Sequence, residues 1–482
     1  MIMKLSSSKY YTTLLFILVL TGFVFAQNAG DALRLSEPGL GFNARAMGMG
    51  NAYSALSDDF SAVYFNPAGL GLVKRLEFAG GINYSKFNND VTFFGNKLGS
   101  SNSETKLDQL SFVFPFPTLR GSFVLALGYN RDKNFNGINT FKGYNSGTNS
   151  MTQTLLGKGD VSYLLYLTDA TGEVTPINGQ LNQEGTITSS GGVGKWSFSA
   201  ASEIAKKFYI GGTLNIYSGD YKRSRDYYED DTQNHYGSNV LTDPGTPNTA
   251  DFQTFHLNDV LDWDISGWDA KIGFIYQAYS SILLGVRVGG SIKFPTSYTI
   301  KEDYTVSGES IFANASYTVD PPLESKLEYE ITTPFIFTGG LSVNYSGLIL
   351  NTDLSYIDYT QMEFSSGLSP SEMSQNNNDI KNQFRGVMNF NVGAEYTIPE
   401  TGLRLRGGFI LNPSPYDGDP SEYDKKYLTG GIGFLTDETI ALDLAYVHGW
   451  WEDFGDNYGT NVSRTFQDVT YSNVVFTFSY RF

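Results

Sequence analysis

NVVFTFSYRF, residues 473–482, is the stretch that decides the fold class. Apolar or aromatic residues alternate in it with mostly polar ones, which is the two-residue period of a β-strand. One face carries Val474, Phe476, Phe478, Tyr480 and Phe482, and the other carries Asn473, Val475, Thr477, Ser479 and Arg481. The stretch therefore predicts a strand that is apolar on one side and mostly polar on the other.

The same alternation recurs in GLILNTDLSY (347–356), GLRLRGGFIL (402–411) and TIALDLAYVHG (439–449). The polar faces of the first two include Asp353, Arg404 and Arg406. Burying these charges in a dry core would be costly, so the polar faces must stay wet while the apolar faces meet something other than water. A membrane barrel with lipid outside and a polar lumen inside meets both demands.

The spacing of such segments predicts about fourteen strands whose connections alternate between short and long. This is the layout of an outer-membrane barrel, with short turns on the periplasmic side and long loops outside the cell, and closure leaves no sheet edge facing hydrocarbon. We therefore predict an all-β fold, a transmembrane antiparallel β-barrel over residues 76–482. The strands are predicted near 76–87, 106–116, 121–131, 195–206, 207–219, 264–278, 281–294, 331–345, 347–358, 384–397, 401–412, 427–435, 438–449 and 471–482, and the long loops at 88–105, 132–194, 220–263, 295–330, 359–383, 413–426 and 450–470.

The first 26 residues have the pattern of a signal peptide. Lys4 and Lys9 precede the apolar run 13–25, and small Ala26 offers a cleavage site. The run is shorter than the roughly 20 residues of a spanning helix, although an uncleaved anchor remains the alternative. We expect export, cleavage near Ala26 and insertion into the outer membrane of a diderm (Gram-negative-type) bacterium.

Composition argues against several function classes. The 33 basic and 50 acidic residues give a net charge of −17, which disfavours nucleic-acid binding. There is no cysteine, and His235, His256 and His448 stand in no catalytic or metal-binding motif. The acidic stretches also lack the spacing of a calcium loop. We expect no enzyme activity, no catalytic residue, no metal and no cofactor.

The segment DDFSAVYFNPAGL (58–70) precedes the first strand and lacks strand alternation. Asp58 or Asp59 is placed to cap a short helical turn, and Asn66 before Pro67 is pushed out of helical geometry. A barrel of fourteen strands leaves a lumen that needs filling. We therefore predict that residues 27–75 form an N-terminal hatch, or plug, inside the lumen.

Three stretches in order resemble the FadL/TodX family of outer-membrane transporters for long-chain fatty acids and aromatic hydrocarbons. They are GLGFNARAMGMGNAYSALSDDFSAVYFNPAGL, LILNTDLSYIDYTQMEF and GLRLRGGFILNPSPYDGDPSEYDKKYLTGGIGF. The resemblance implies capture of a hydrophobic ligand by the extracellular loops and a pocket partly occupied by the mature N-terminus. It also implies gating by the hatch motif Asn66, Pro67 and Ala68, and a kink in the third strand, for which Gly121 and Gly128 are the candidates.

Inward-facing cations are candidates for contact with the head group of a fatty acid. They are Arg287, Arg385, Arg404 and Arg406, and a structural charge network is the competing interpretation for each. The predicted partners are fatty acids or aromatic hydrocarbons, outer-membrane lipid, and the barrel assembly machinery, for which Phe478, Tyr480 and Phe482 form the C-terminal insertion signal. We expect a monomer.

A rival function stays open at this point. PorV-like members of the same barrel family act as shuttles for secreted cargo, and their hatch motif looks similar. An apolar pocket behind a complete hatch favours transport, whereas an open lumen and bound secreted proteins favour the shuttle.

Overall fold

The structure is a computed structural model that describes residues 28–437, 439–459 and 462–482. The predicted signal peptide lies outside these residues. The strands are β1 (Glu77–Phe93), β2 (Asn96–Phe116), β3 (Phe123–Asn134), β4 (Gly137–Asn145), β5 (Leu181–Ala205), β6 (Phe208–Asp230), β7 (Phe252–Ser280), β8 (Leu284–Lys293), β9 (Ser297–Phe312), β10 (Ala315–Thr318), β11 (Leu323–Thr332), β12 (Ile336–Tyr345), β13 (Leu348–Asp358), β14 (Glu363–Ser366), β15 (Gly386–Thr397), β16 (Leu403–Asn412), β17 (Lys425–Thr436), β18 (Ile440–Asp456) and β19 (Arg464–Arg481).

These strands form one closed antiparallel sheet. Segments β3 and β4 follow one another along β5, and β8 and β9 follow one another along β7. In the next stave, β11 pairs with β9 and β12 pairs with β8. In the stave after that, β13 pairs with β12 and β14 pairs with β11. Counted as continuous staves, the described strands make a barrel of fourteen, with β10 as a short hairpin partner of β9. The predicted fold class is confirmed.

The barrel closes between its first and last strands. Phe78 of β1 lies opposite Tyr480 of β19 on one side and opposite Phe112 of β2 on the other. In β19 the side chains of Asn473 and Thr477 are buried inside while those of the aromatic parity face outward, as the opening stretch predicts. The outer wall is therefore an apolar band, and none of the helices in the described ranges has the length and apolarity to cross a bilayer.

The strands continue further than the sequence predicts. Segment 88–105, predicted as a long loop, is a hairpin that turns at Phe94 and Gly95. Much of 132–194, 220–263 and 295–330 is likewise strand. The physical reason is that the outward faces of these outer parts meet water instead of lipid, while apolar residues such as Phe93 and Leu257 pack inward. They therefore lack the apolar alternation that lipid imposes lower down.

The helices lie at the N-terminus and among the outer connections. The α-helices are α1 (Ala29–Ser36), α2 (Ala44–Gly48), α3 (Met151–Thr154), α4 (Val161–Leu164) and α5 (Pro370–Gln383), and the 3-10 helices are Phe60–Val63, Pro67–Leu72, Pro247–Thr249, Tyr359–Gln361 and Ser421–Tyr423. We call residues 28–75 the plug, because their side chains contact the inward faces of the strands.

Candidate functional site

The plug is seated against a ring of glycines on the inner wall. At Gly211 an added Cβ would lie 2.5 Å from the carbonyl carbon of Pro67, and at Gly393 it would lie 1.9 Å from the Met49 carbonyl oxygen. No side chain fits at either position, so the backbones of plug and wall meet directly. We call the set the seating glycines: Gly128, Gly211, Gly273, Gly289, Gly340, Gly393, Gly408 and Gly431.

The hatch motif forms part of this contact. Asn66 caps the 3-10 helix that begins at Pro67, and its Oδ1 accepts a hydrogen bond from the Ala68 amide at 3.2 Å. Its Nδ2 donates to the Ser54 and Phe274 carbonyls, both at 2.9 Å. The motif therefore joins two parts of the plug to strand β7. The predicted helix stop at Asn66 is confirmed, and the cap of the preceding turn is Asp59, which accepts from the Ser61 amide at 2.9 Å.

A buried charge network ties the plug to strands β15, β16 and β18. Arg45 donates two hydrogen bonds of 2.9 Å to Glu395 and one of 2.6 Å to Asp58. Arg406 donates at 2.7 Å to Glu395 and at 2.7 Å to Asp443. Burial disfavours the charged form of Asp58, but Arg45 outweighs it and holds the pKa of that carboxyl below its ordinary value. Arg406 is thus engaged in a structural network, the competing interpretation for this residue.

The other three predicted cations lie apart from one another. Arg287 donates to the Leu56 carbonyl at 3.5 Å, and Arg385 donates to the Ser414 carbonyl at 3.2 Å in an outer connection. Arg404 lies at the first inward position of β16, just after a short turn, and its buried Nε has no hydrogen-bond partner among the described residues. The structure therefore does not bring the four arginines into one site.

Helix α1 fills an aromatic pocket in the lumen. Asn28 and Asp31 form a capping box, which starts the helix, and Asp31 also pairs with Arg34. The Arg34 guanidinium lies 4.5 Å from the ring centre of Tyr221 and 5.5 Å from that of Trp263. We call this the helix pocket. Its buried apolar members besides α1 include Tyr217, Tyr221, Trp263, Tyr298, Tyr329, Met362, Phe364, Ile380 and Phe384.

Four lysines converge at the inner end of α1. Lys195 pairs with Asp132 at 2.8 Å, and Lys293 pairs with Asp269 at 3.2 Å. Lys271 donates to the Tyr64 carbonyl. We call these three, together with Lys133, the lysine cluster, and all four line a cavity of about 110 Å³.

The lysine cluster adjoins the helix pocket. Lys195 and Lys293 both lie over the ring of Tyr217, at 5.3 Å and 5.8 Å from its centre. Lys271 and Lys293 are direct cross-strand neighbours, an arrangement that repulsion between like charges disfavours. The sequence analysis missed this cluster. The available signal was the inward parity of lysines on strands β5, β7 and β8.

The third stave is irregular, but not at the predicted glycines. Gly128 pairs in regular register with both neighbouring strands, and Gly121 lies in the short turn before β3. The register shift falls between Arg131 and Lys133, where the plug meets it: an added Cβ at Gly39 would lie 1.8 Å from the Asp132 carbonyl oxygen. The irregularity is therefore a β-bulge at Asp132.

The outer connections form a second apolar core above the plug. Helices α3 and α4 pack there with Phe141, Tyr227 and Phe255. Beside α4 is a small cavity of about 60 Å³, lined by Leu155, Val161 and Asp160, among others, and burial raises the pKa of Asp160 to about 6. Within the described residues no group of three or more metal-ligating side chains is present.

The fold is similar to that of several solved structures. No family model matches the sequence, and no curated protein does. Three solved structures align over nearly their whole length: the toluene transporter TodX of P. putida (15% identity, 92% of this chain and 99% of that chain, TM-score 0.56), a FadL homologue of Pseudomonas aeruginosa (12%, 93% and 99%, 0.54) and the toluene transporter TbuX of Ralstonia pickettii (16%, 92% and 98%, 0.50). The chain has the FadL/TodX fold. The resemblance drawn from the sequence is thus confirmed at the level of the fold.

Proposed function

We propose that this protein is an outer-membrane channel of the FadL/TodX family for the passive uptake of hydrophobic compounds, and that its substrate is a long-chain amphiphile with a carboxylate head. The observation that carries the proposal is the pairing of the helix pocket with the lysine cluster. An aromatic pocket that ends in ammonium groups suits a molecule with an apolar tail and one negative charge.

Helix α1 would act as the occupant that the ligand displaces. Its buried residues Ala32, Leu33 and Leu35 lie against the aromatic side chains that would hold an apolar tail. Ile380 of α5 belongs to the same cluster, so displacement of α1 would also loosen this outer helix. Ligand and helix would therefore compete for one pocket, and binding would release the N-terminus.

The lysine cluster would hold the head group. Lys271 lies opposite Lys293, which already pairs with Asp269, and it has no ion pair of its own among the described residues, so an anion placed between the two lysines would supply the missing negative charge. Toluene, named for TodX and TbuX, has no charge for such a site to bind. The cluster is therefore the reason to favour a carboxylate amphiphile, with fatty acids as the first candidate.

Capture and gating complete the proposal. The apolar layer that contains α3 and α4 would receive the ligand from outside the cell, and the plug with Asn66, Pro67 and Ala68 would gate its passage. The plug's backbone contact with the seating glycines supports a gate that moves in part, with residues 28–38, which meet none of these glycines, leaving more easily than residues 48–68, which do. The β-bulge at Asp132, where Gly39 of the plug meets β3, is the candidate place at which the barrel wall would change shape during passage.

The test compares an anionic and a neutral ligand. Oleate and toluene binding are measured by calorimetry on the full protein in nonionic detergent, for the wild type, the double variant Lys271→Gln/Lys293→Gln and the exposed control Lys326→Gln. We expect the double variant alone to lose oleate affinity by tenfold or more, because two charge-assisted hydrogen bonds are lost, with toluene binding unchanged. Equal oleate affinity in all three proteins would refute a carboxylate substrate. A barrel that binds neither compound but co-purifies with secreted proteins would favour the cargo shuttle.

A further inference from the structure

The periplasmic end of the barrel contains a cavity with an excess of basic side chains. Its volume is about 440 Å³. Among its lining residues are five cations, one carboxylate and three apolar side chains: Arg45, Lys74, Arg75, Arg404, Arg481, Asp58, Leu72, Val73 and Leu435. We call it the basic vestibule. It lies at the end with the short turns, beside the chain segment that joins the plug to β1.

Arg45 and Arg481 are each held by carboxylates, one of which, Asp58, itself lines the cavity. Arg45 is held by Glu395 and Asp58, and Arg481 donates to Glu77 at 2.7 Å. These arginines are therefore fixed parts of the cavity wall. Their carboxylate partners hold them in place for a further acceptor.

Arg404 differs from them. The residues opposite it on the neighbouring strands are Thr397 and Gly433, and neither has a carboxylate. Its Nε is buried and has no hydrogen-bond partner in the part of the chain that the structure describes. A buried guanidinium donor without an acceptor is costly, and an anionic ligand would satisfy it.

We propose that the basic vestibule binds the carboxylate of an amphiphile leaving the lumen, with Arg404 as its main contact. Lys74, at the exposed edge, adds a second positive charge, and Leu72, Val73 and Leu435 contact the first carbons of the tail. This inference rests on the proposed function, because the ligand is the one that the lysine cluster would release. It adds a second anion site on the periplasmic side of the plug.

Native mass spectrometry of the full barrel in nonionic detergent tests the proposal. The probes are dodecanoate and the uncharged dodecanol, titrated against the wild type, Arg404→Gln/Lys74→Gln and the control Arg120→Gln. Arg120 is an exposed arginine in a short turn at the same rim and does not line the cavity. We expect the double variant to bind one dodecanoate fewer, with about tenfold or more lost affinity at that site, while dodecanol binding and Arg120→Gln stay unchanged.

Two results would overturn the proposal. One is equal dodecanoate binding by wild type and double variant, after heat-modified gel migration shows that both barrels are folded. The other is loss of bound phosphatidylglycerol with dodecanoate unaffected, which would make the vestibule a membrane-lipid site. Including Lys271→Gln/Lys293→Gln separates the two hypotheses. If that variant keeps all its dodecanoate, the proposed function fails, while a loss in Arg404→Gln/Lys74→Gln still supports the vestibule.

Discussion

Adding one methyl group at Gly393 is expected to unseat the plug without harming the barrel. The new Cβ would lie 1.9 Å from the Met49 carbonyl oxygen, whereas real Cβ contacts stay above 3.0 Å. The plug backbone must therefore retreat by about 1 Å in a region packed at interior density. The sheet itself does not suffer, because alanine is no worse than glycine in a strand.

The magnitude follows from overpacking, which costs about 1–3 kcal/mol in a well-packed core. Even the lower part of that range, about 1–2 kcal/mol, raises the open population of the plug about 5–30-fold. The attachments of other plug segments remain, including the hydrogen bond of 2.9 Å from Asn66 to the Phe274 carbonyl. We therefore expect a local opening and not loss of the plug.

The assay exploits the absence of cysteine from the chain. An Ala52→Cys reporter, at a fully buried plug position, is labelled with a maleimide in the wild-type, Gly393→Ala and Gly339→Ala backgrounds. Gly339 is the matched control, since an added Cβ there has nothing within 4 Å. Labelling should accelerate about 5–30-fold in Gly393→Ala only. Equal labelling rates in the two glycine variants would refute the direct contact of plug and wall.

Three further predictions use the same barrel. Asp353→Ala removes the carboxylate that accepts hydrogen bonds from two plug amides, each at 2.8 Å. The free energy of plug opening should fall by about 1–3 kcal/mol per lost bond, so the reporter should label faster. Removal of residues 28–36 should expose the buried Trp263, so acrylamide should quench more of the tryptophan fluorescence. In a Trp263→Phe background, the same truncation should leave the quenching unchanged. Because Arg45 lowers the pKa of Asp58, their pairing stabilises the plug above the ordinary carboxyl value of 3.8 and is lost as pH falls below it, so labelling should rise there; a flat pH profile would contradict this.

The staves inside the membrane could be predicted because lipid imposes a strict pattern on them. In β19, Val474 and Phe476 face out while Asn473 and Thr477 face in, and the sequence shows this directly. The outer ends have no such constraint, so 88–105 looked like a loop although it is a hairpin. The cap at Asp59 and the stop at Asn66 were readable because they depend on local chemistry.

The site was harder to predict because it is built from distant strands. Arg404 and Arg406 share a face of one strand. Arg406 donates hydrogen bonds to Glu395 and Asp443, whereas the Nε of Arg404, at the end of the barrel, has no partner among the described residues. Parity cannot distinguish them, since the difference comes from which neighbours carry carboxylates. The lysine cluster likewise depends on register, which places Lys271 opposite Lys293.

The seating glycines also bear on the order in which the molecule is assembled. Arg45 and Glu395 are 350 residues apart in the chain, and plug residues 48–50 contact glycines on strands as late as β15, β16 and β17. Contacts between such distant segments form slowly, because a long loop must close before they stabilise anything. The N-terminal segment is made first but finds its partners last, so it must stay unpaired until the final strands arrive and the seam between β1 and β19 joins around it.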